Sequence, residues 1–253
     1  MNSICVMPKQ SAYATGRLAC EDDRLLRPGG LELTARAIAL ARLGAGATVL
    51  DIGCGAGYSV RYLRTLGIDA IGIDREIRYD NQLTQGLDPA SYIVACAEDL
   101  PFPESSLHGV LAECSLSLIE DQDRVLMECA RVLKDGGRLM ISDLYARQPE
   151  AIGAVRLLKS SCVSGMIIRE ELETLLALCG FVVEVWEDHS RALRECAARF
   201  IMENDSLEGL WTNEAKDSTQ TIQTAMHDAR AGYFLLIATR NRRSPIVRGW
   251  KNE

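Results

Sequence analysis

A glycine-rich turn that follows a short apolar segment constrains the fold of this chain more than any other feature. Residues Val49 to Gly57 read Val-Leu-Asp-Ile-Gly-Cys-Gly-Ala-Gly. Apolar residues bounded by turn residues predict a buried strand of a parallel sheet. The glycines let the backbone turn sharply and let a ligand approach closely, because glycine has no Cβ. The helical spacing of apolar residues from Tyr58 to Leu66 predicts a helix whose N-terminus faces an anionic or polar ligand.

Two acidic residues accompany this turn. Asp51 lies inside the apolar strand, where an unpaired carboxylate would be costly, so we expect it to order the turn or to contact a ligand. Asp74 ends the next apolar run, about 20 residues further on, where an acidic side chain can bind two ribose hydroxyls. The alternative is an ordinary strand–turn–helix in which the aspartate caps the helix.

Apolar runs and helical spacings alternate along the rest of the chain, which predicts a parallel sheet with helices on both faces. After the strand at Val49–Ile52, six more strands are predicted at Ala70–Asp74, Tyr92–Cys96, Val110–Glu113, Arg138–Asp143, Val182–Trp186 and Tyr233–Thr239. Further helices are predicted at Leu31–Leu43, Ile119–Leu133 and Arg169–Leu178. The expected fold class is therefore α/β, a doubly wound, seven-stranded and mostly parallel sheet.

The overall composition argues against several classes of protein. The chain has 253 residues, 47% of them hydrophobic, and its net charge of −7 argues against a dedicated nucleic-acid-binding protein. We expect no secretory signal, and the chain contains no apolar run of the roughly 18 residues that a membrane span requires. Nine cysteines without a Cys-x-x-Cys pair favour free thiols in a reducing cytoplasm, and three scattered histidines predict no metal site. We expect a cytoplasmic protein that binds neither nucleic acid nor a membrane.

Four segments, taken together, resemble the motifs of class I S-adenosylmethionine-dependent methyltransferases of the quinone, sterol and arsenite type. The segments are Val49–Gly57, Asp74, Ala97–Pro103 and Val132–Leu139. The turn differs from the dinucleotide-binding fingerprint, because Gly57 comes two residues after Gly55 where that fingerprint has three. The resemblance covers residues 30–143. It implies a Rossmann-like methyltransferase fold, S-adenosylmethionine as the cofactor and a small-molecule substrate.

The resemblance also implies where the cofactor binds. Backbone groups of Gly53, Cys54 and Gly55 would hold the methionine part, close to Asp51. Asp74 would bind the ribose hydroxyls. These residues would meet in the crevice beyond the carboxyl ends of the strands, where open α/β sheets bind ligands.

On the adenine side the sequence departs from the family. The resemblance implies that Arg75 lies near the adenine and that Ala97 and Glu98 bind it, through a backbone N–H and a carboxylate. Family members commonly have an aspartate at the position of Cys96, and a thiol is a weak acceptor. Glu98 therefore either replaces that aspartate or points to solvent.

Glu113 follows the fourth predicted strand, where the family brings the sulfonium and the substrate together. Its carboxylate would lie near the sulfonium or accept a substrate proton. Otherwise it would cap the following helix or bind the methionine amine. The resemblance implies direct displacement, for which well-oriented reactants supply about 7–11 kcal/mol of barrier reduction. A catalytic residue is therefore not required, and none is assigned.

We expect a single methyltransferase domain over residues 1–253, with helical additions that cover the crevice. Residues 1–28 have no clean periodicity and are predicted to form a cover segment. About forty residues, 190–231, separate the last two strands, which the family often joins by a short hairpin. A structureless loop of that length would be unusual, so a helical insertion is predicted. Its apolar stripe, which includes Leu193 and Phe200, would pack on the core or contact the substrate.

Three alternatives to methyl transfer onto a small organic molecule stay open. Arsenite methylation would require two or three thiolates to converge on the metalloid. Cys114 is the best-placed thiol for that role, whereas Cys129 and Cys179 are predicted to be small buried hydrophobes in helices. The chain would otherwise be a cofactor-binding protein without turnover. A nicotinamide oxidoreductase is disfavoured by the glycine spacing and by Ala97–Pro103.

Overall fold

A computed structural model describes residues 27–75, 91–158, 161–204 and 218–242 of the chain. Of the predicted cover segment at residues 1–28, only Arg27 and Pro28 fall within these ranges. The prediction for the first 26 residues therefore lies outside the described residues. In the part of the chain that the structure describes, no helix is both long enough and apolar enough to cross a bilayer.

The described residues form one seven-stranded sheet, as the sequence predicts. The strands are β1 (Thr48–Ile52), β2 (Asp69–Asp74), β3 (Tyr92–Val94), β4 (Leu107–Glu113), β5 (Leu133–Ala146), β6 (Phe181–Asp188) and β7 (Ala231–Arg240). Their order across the sheet is β3-β2-β1-β4-β5-β7-β6. Strand β7 runs antiparallel to both of its neighbours, and the remaining pairs are parallel. The expectation of a mostly parallel α/β sheet is confirmed.

Helices cover both faces of this sheet. They are α1 (Gly30–Ala41), α2 (Tyr58–Thr65), α3 (Gln122–Val132), α4 (Ile152–Arg156), α5 (Ser161–Ser164), α6 (Arg169–Leu178), α7 (Ser190–Asn204) and α8 (Thr219–Asp228). Alternate strand residues face opposite sides. Met140 accordingly packs with α1, α2, α7 and α8, and its neighbour Ile141 packs with α3 and α6. The two buried clusters are the two sides of a doubly wound core.

Element boundaries differ from the predicted ones where local hydrogen bonds decide them. The helix expected from Ile119 begins at Gln122 instead, because Asp121 caps it by accepting a hydrogen bond from the Arg124 N–H at 3.1 Å. A short 3₁₀ helix occupies Leu116–Leu118 before that cap. Strand β5 is longer than expected, and its C-terminal half pairs with β7 as far as Ala146.

Two helices, α7 and α8, lie within the segment between β6 and β7. The apolar stripe of α7 packs on the core, since Leu193 and Phe200 are buried and Leu193 belongs to the cluster that contains Met140. Ile201, the residue after Phe200, is 41% exposed. The stripe therefore fixes α7 to the sheet, and the role of this insertion as a cover stays a prediction.

Candidate functional site

The candidate site lies at the carboxyl ends of β1, β2 and β4. Strand β1 pairs in parallel with β2 on one side and with β4 on the other. The chain proceeds outward from β1 to β2 and β3, then returns to the other side of β1 with β4. In open α/β sheets, ligands bind in the crevice at the strand ends beside such a reversal.

The glycine-rich turn folds onto the end of β2 through backbone hydrogen bonds. The N–H groups of Gly53 and Cys54 both donate to the Ile73 carbonyl, at 2.9 and 3.0 Å. The Gly55 N–H donates to the Asp74 carboxylate at 2.9 Å. The structure thus brings together the turn and the acidic residue that the sequence places about 20 residues apart. The Asp74 carboxylate therefore orders the turn, and its binding of the ribose stays a prediction.

Two of the turn glycines cannot carry a side chain. Gly53 has φ +71°, and a Cβ there would lie 2.7 Å from the Ser115 Cβ. Gly57, which precedes α2, has φ +78°, and a Cβ there would lie 2.1 Å from the Tyr92 hydroxyl oxygen. Both residues occupy the left-handed region that favours glycine. Tyr92 of β3 therefore packs against Gly57, and Ser115, which follows β4, packs against Gly53.

Asp51 is the most unusual group in the crevice. It is 3% exposed, and its carboxylate makes no hydrogen bond or ion pair with any residue that the structure describes. Burial, and then the neighbouring Glu113, raise the pKa of Asp51 well above its usual range, while Arg27 partly opposes them. A buried carboxylate without a partner is costly, so its presence indicates a cationic or hydrogen-bonding ligand.

Glu113, by contrast, is fully engaged by the protein. Its carboxylate forms a buried ion pair with Arg27. It also accepts hydrogen bonds from the Thr34 hydroxyl at 3.0 Å and from the Ser59 hydroxyl at 2.8 Å. Arg27 in turn bonds Thr34 and the Gly30 carbonyl. This network links α1 and α2 to the end of β4. Because these groups already bond the Glu113 carboxylate, it is not available to accept a proton from a substrate.

The balance of charge in this part of the crevice is negative. Burial lowers the pKa of Arg27, but Glu113, Tyr233 and Cys114 together raise it by more, so the guanidinium stays charged. Arg27 neutralises Glu113 and leaves Asp51 without a cation of its own. A ligand group that carries a positive charge therefore complements the crevice.

On the β2 side of the turn, Arg75 and Glu98 form an ion pair. Their contact with the adenine stays a prediction. The Glu98 Oε2 atom is buried and has no hydrogen-bond partner in the described ranges, while Oε1 accepts from Arg75. Glu98 is therefore folded inward rather than pointing to solvent. Ala97 beside it is 6% exposed.

The cysteines divide into several environments. Cys54 turns its thiol onto Gly72 of β2, so only its backbone faces the turn. Cys129 and Cys179 are buried in the core, as predicted. Cys96 is disulfide-bonded, which departs from the expectation of free thiols throughout, whereas the other six described cysteines form no disulfide. The cytoplasmic location stays a prediction.

Cys114 is the free thiol at the end of β4. Its sulfur lies 2.8 Å from the Tyr233 hydroxyl, and burial raises the pKa of the thiol, so it stays protonated. The His189 Nε2 atom lies 3.0 Å from the Glu187 carboxylate. His108 lies near the start of β4, far from the carboxyl ends of the strands, and its Nδ1 accepts a hydrogen bond from the Thr48 N–H. Within the ranges that the structure describes, no three ligating side chains converge to hold a metal ion.

Five further residues belong to the crevice and were not assigned from the sequence: Arg27, Thr34, Ser59, Ser115 and Tyr233. Each reaches the crevice through the tertiary fold, and none lies in a motif of fixed spacing. The one available signal was Arg27, a charged residue directly before the turn that begins α1.

Comparison with known proteins identifies the family. Residues 50–141 match the family described as "Methyltransferase domain". The chain is 33% identical over 210 residues to the O-methyltransferase resE of Aspergillus sclerotiorum, covering 78% of this chain and 76% of that protein. It is 29% identical over 230 residues to the 27-O-demethylrifamycin SV methyltransferase of Amycolatopsis mediterranei, covering 85% and 80% of the two chains.

Two more distant similarities bear on the alternatives. An arsenite methyltransferase of Halobacterium salinarum is 28% identical over 153 residues, and the match covers only 39% of its length. The solved structure of phosphoethanolamine N-methyltransferase 2 from Haemonchus contortus, in complex with S-adenosyl-L-methionine, superposes with a TM-score of 0.65 at 17% identity. That superposition covers 91% of this chain and 57% of the other, and it shows a shared fold.

Proposed function

We propose, since the chain belongs to the class I S-adenosylmethionine-dependent methyltransferases, that it transfers a methyl group to a hydroxyl of a small organic molecule. Two relatives that the chain matches over most of their length carry names that specify O-methylation. The cofactor supplies an activated methyl group on a sulfonium. The protein aligns the acceptor and excludes water, which is sufficient for a direct displacement.

The proposal rests mainly on the environment of the Asp51 carboxylate. The residues at the crevice fit the cofactor, because a buried carboxylate without a partner among the described residues complements the ammonium group at the amino-acid end of S-adenosylmethionine. The backbone of Gly53, Cys54 and Gly55 lies beside it and would hold the same part of the cofactor.

The adenosine end would bind on the β2 side of the turn. Asp74 would accept hydrogen bonds from the ribose hydroxyls. The unpaired Oε2 of Glu98 would accept one from the adenine amino group, with Arg75 fixing the carboxylate. Glu98 would thus replace the aspartate that the family has at the position of Cys96. The Ala97 N–H would contribute the remaining contact.

Glu113 is a positioning residue in this proposal, because Arg27, Thr34 and Ser59 already occupy its carboxylate. It holds the end of β4 and the N-terminal parts of α1 and α2 in one arrangement. The acceptor hydroxyl would lose its proton to solvent or to a group outside this network.

Methyl transfer is tested by incubating the protein with S-adenosylmethionine and a panel of hydroxylated small molecules. We expect release of S-adenosylhomocysteine together with an acceptor heavier by one methylene. A parent protein that binds the cofactor but releases no S-adenosylhomocysteine with any alcohol, phenol or amine would favour a binding protein without turnover.

Replacing Asp74 by alanine is expected to weaken S-adenosylhomocysteine binding by about tenfold or more, because hydrogen bonds from the ribose to a carboxylate are lost. The matched control is Asp69→Ala, at the exposed start of the same strand, which should bind like the parent. Calorimetry measures both affinities, and circular dichroism establishes that the variants are folded. Unchanged affinity in folded Asp74→Ala would remove Asp74 from the site.

Glu98→Ala is expected to abolish discrimination between adenine and hypoxanthine. The parent should bind S-adenosylhomocysteine about tenfold or more tightly than S-inosylhomocysteine, which presents a carbonyl to the Glu98 carboxylate. The control is Glu104→Ala, whose exposed carboxylate pairs with Arg242 far from the turn. If Glu98→Ala keeps the preference of the parent, another group recognises the base.

Arsenite is the second candidate acceptor, on the strength of one relative and of Cys114 at the crevice. We expect no arsenite turnover, because the Cys114 thiol stays protonated and no described set of thiols converges on it. Arsenite methylation by the parent that disappears in each of Cys20→Ser, Cys114→Ser and Cys162→Ser would contradict this expectation.

A further inference from the structure

The Ser115 hydroxyl is buried beside the glycine-rich turn. Ser115 is 5% exposed, and its Oγ has no hydrogen-bond partner among the residues that the structure describes. It immediately precedes the short 3₁₀ helix at Leu116–Leu118, but its side chain does not cap that helix. A buried hydroxyl without a partner destabilises the folded state, so it calls for a ligand.

The backbone conformation of Cys114 directs Ser115 towards the turn. Cys114 has φ +52°, an uncommon value for a residue with a side chain. Its N–H donates to the Ser142 carbonyl at 2.8 Å and its thiol contacts Tyr233, so β5 and β7 fix this conformation. Ser115 consequently packs on Gly53, with its Oγ 3.5 Å from the point where a Gly53 Cβ would lie.

The segment after Ser115 is held from two sides. The buried Asp143 carboxylate accepts from the Ser117 N–H at 2.8 Å and from the Ser117 hydroxyl at 2.7 Å. Gly165 packs against the Ser117 backbone so closely that a Cβ there would lie 1.9 Å from the Ser117 carbonyl oxygen. Ser115 therefore cannot move away from the turn to find another partner without disturbing this packing.

The position of Ser115 selects which part of the cofactor it would meet. The predicted adenosine-side groups lie near the end of β2: Asp74 ends that strand, and Glu98, which follows β3, pairs with Arg75 next to it. Ser115 follows β4, on the other side of β1, and contacts the first glycine of the turn. The amino-acid end of the cofactor carries an ammonium and a carboxylate, and a hydroxyl can accept from the first or donate to the second.

We propose that Ser115 is a cofactor-binding residue whose hydroxyl hydrogen-bonds the amino-acid end of S-adenosylmethionine, an inference that rests on the proposed function. It supplements the backbone of the turn and acts beside Asp51. The unpaired hydroxyl in the free protein becomes paired when the ligand binds.

The experiment compares two probes that share adenosine and a sulfur but differ in the amino-acid end. S-adenosylhomocysteine has this end, and 5′-methylthioadenosine lacks it. Ser115→Ala should weaken S-adenosylhomocysteine binding by about tenfold or more and leave 5′-methylthioadenosine binding unchanged. The variant should melt at the same temperature as the free parent or higher, because it removes an unpaired polar group.

Ser106→Ala is the matched control. It removes a hydroxyl that donates to the Pro103 carbonyl at 2.7 Å. Ser106 lies directly before β4, at the end of the sheet opposite to the glycine-rich turn. It should bind both probes like the parent. Equal losses for both probes in Ser115→Ala, or no loss for either, would overturn the assignment. A folded parent that binds neither probe would overturn the proposed function itself, and with it this inference.

Discussion

Replacing Arg27 by methionine is expected to lower the free energy of unfolding by about 3–5 kcal/mol, the cost typical of breaking a buried ion pair. The substitution would leave the Glu113 carboxylate buried with only the Thr34 and Ser59 hydroxyls as partners. Methionine fills a similar length, so packing contributes little to the loss. Urea denaturation measures the change.

Two further variants distinguish the stability lost by breaking the buried Arg27–Glu113 ion pair from the effect of removing any arginine. Arg36→Met removes the exposed ion pair between Arg36 and Glu187, so it should cost at most about 1 kcal/mol. The double variant Arg27→Met/Glu113→Leu removes both buried charges and should recover most of the stability lost in Arg27→Met. If Arg27→Met costs no more than Arg36→Met, the network does not organise the crevice.

Asp51→Asn is expected to act in opposite directions on stability and on binding. The free protein should gain about 1–3 kcal/mol, because a buried carboxylate without a partner is replaced by a neutral group of the same shape. Its melting temperature should rise by roughly 2–4 °C per kcal/mol. Binding of S-adenosylhomocysteine should weaken by about tenfold to a hundredfold, because the charged partner of the ammonium is lost.

The stability difference between Asp51→Asn and the parent should depend on pH. Burial raises the pKa of Asp51 in the folded state above its unfolded value. The contribution of Asp51 to stability is thus fully present below the unfolded pKa and is lost as pH rises through the folded pKa. The stability advantage of Asp51→Asn should therefore grow with rising pH. Asp69→Asn, at an exposed position, should show no such trend. A destabilised Asp51→Asn at every pH would mean that Asp51 has a structural partner.

The fold and the backbone part of the site could be predicted because both depend on local pattern. Alternating apolar runs and helical spacings determine the order of elements, and the glycines at 53 and 57 have the positive φ values that the turn requires. Asp74 was predictable because it ends the strand next to the turn, and its bond to the Gly55 N–H follows from that adjacency.

The side-chain network was not predictable because its members are far apart in sequence. Arg27 and Glu113 are 86 positions apart, and their pairing depends on how the start of α1 packs on the sheet. The unpaired state of Ser115 depends on the conformation of Cys114, which β5 and β7 fix through tertiary contacts. Patterns of spacing predict which face a residue occupies but do not predict which polar atoms remain without a partner.

The central claim is that the crevice at the carboxyl ends of β1, β2 and β4 is a site for S-adenosylmethionine. Titration calorimetry of the unmodified protein tests it most directly, with S-adenosylhomocysteine in one experiment and NADH in a parallel one. We expect saturable binding of one S-adenosylhomocysteine per chain and no binding of NADH. A folded protein that binds NADH and gives no heat with S-adenosylhomocysteine would contradict it.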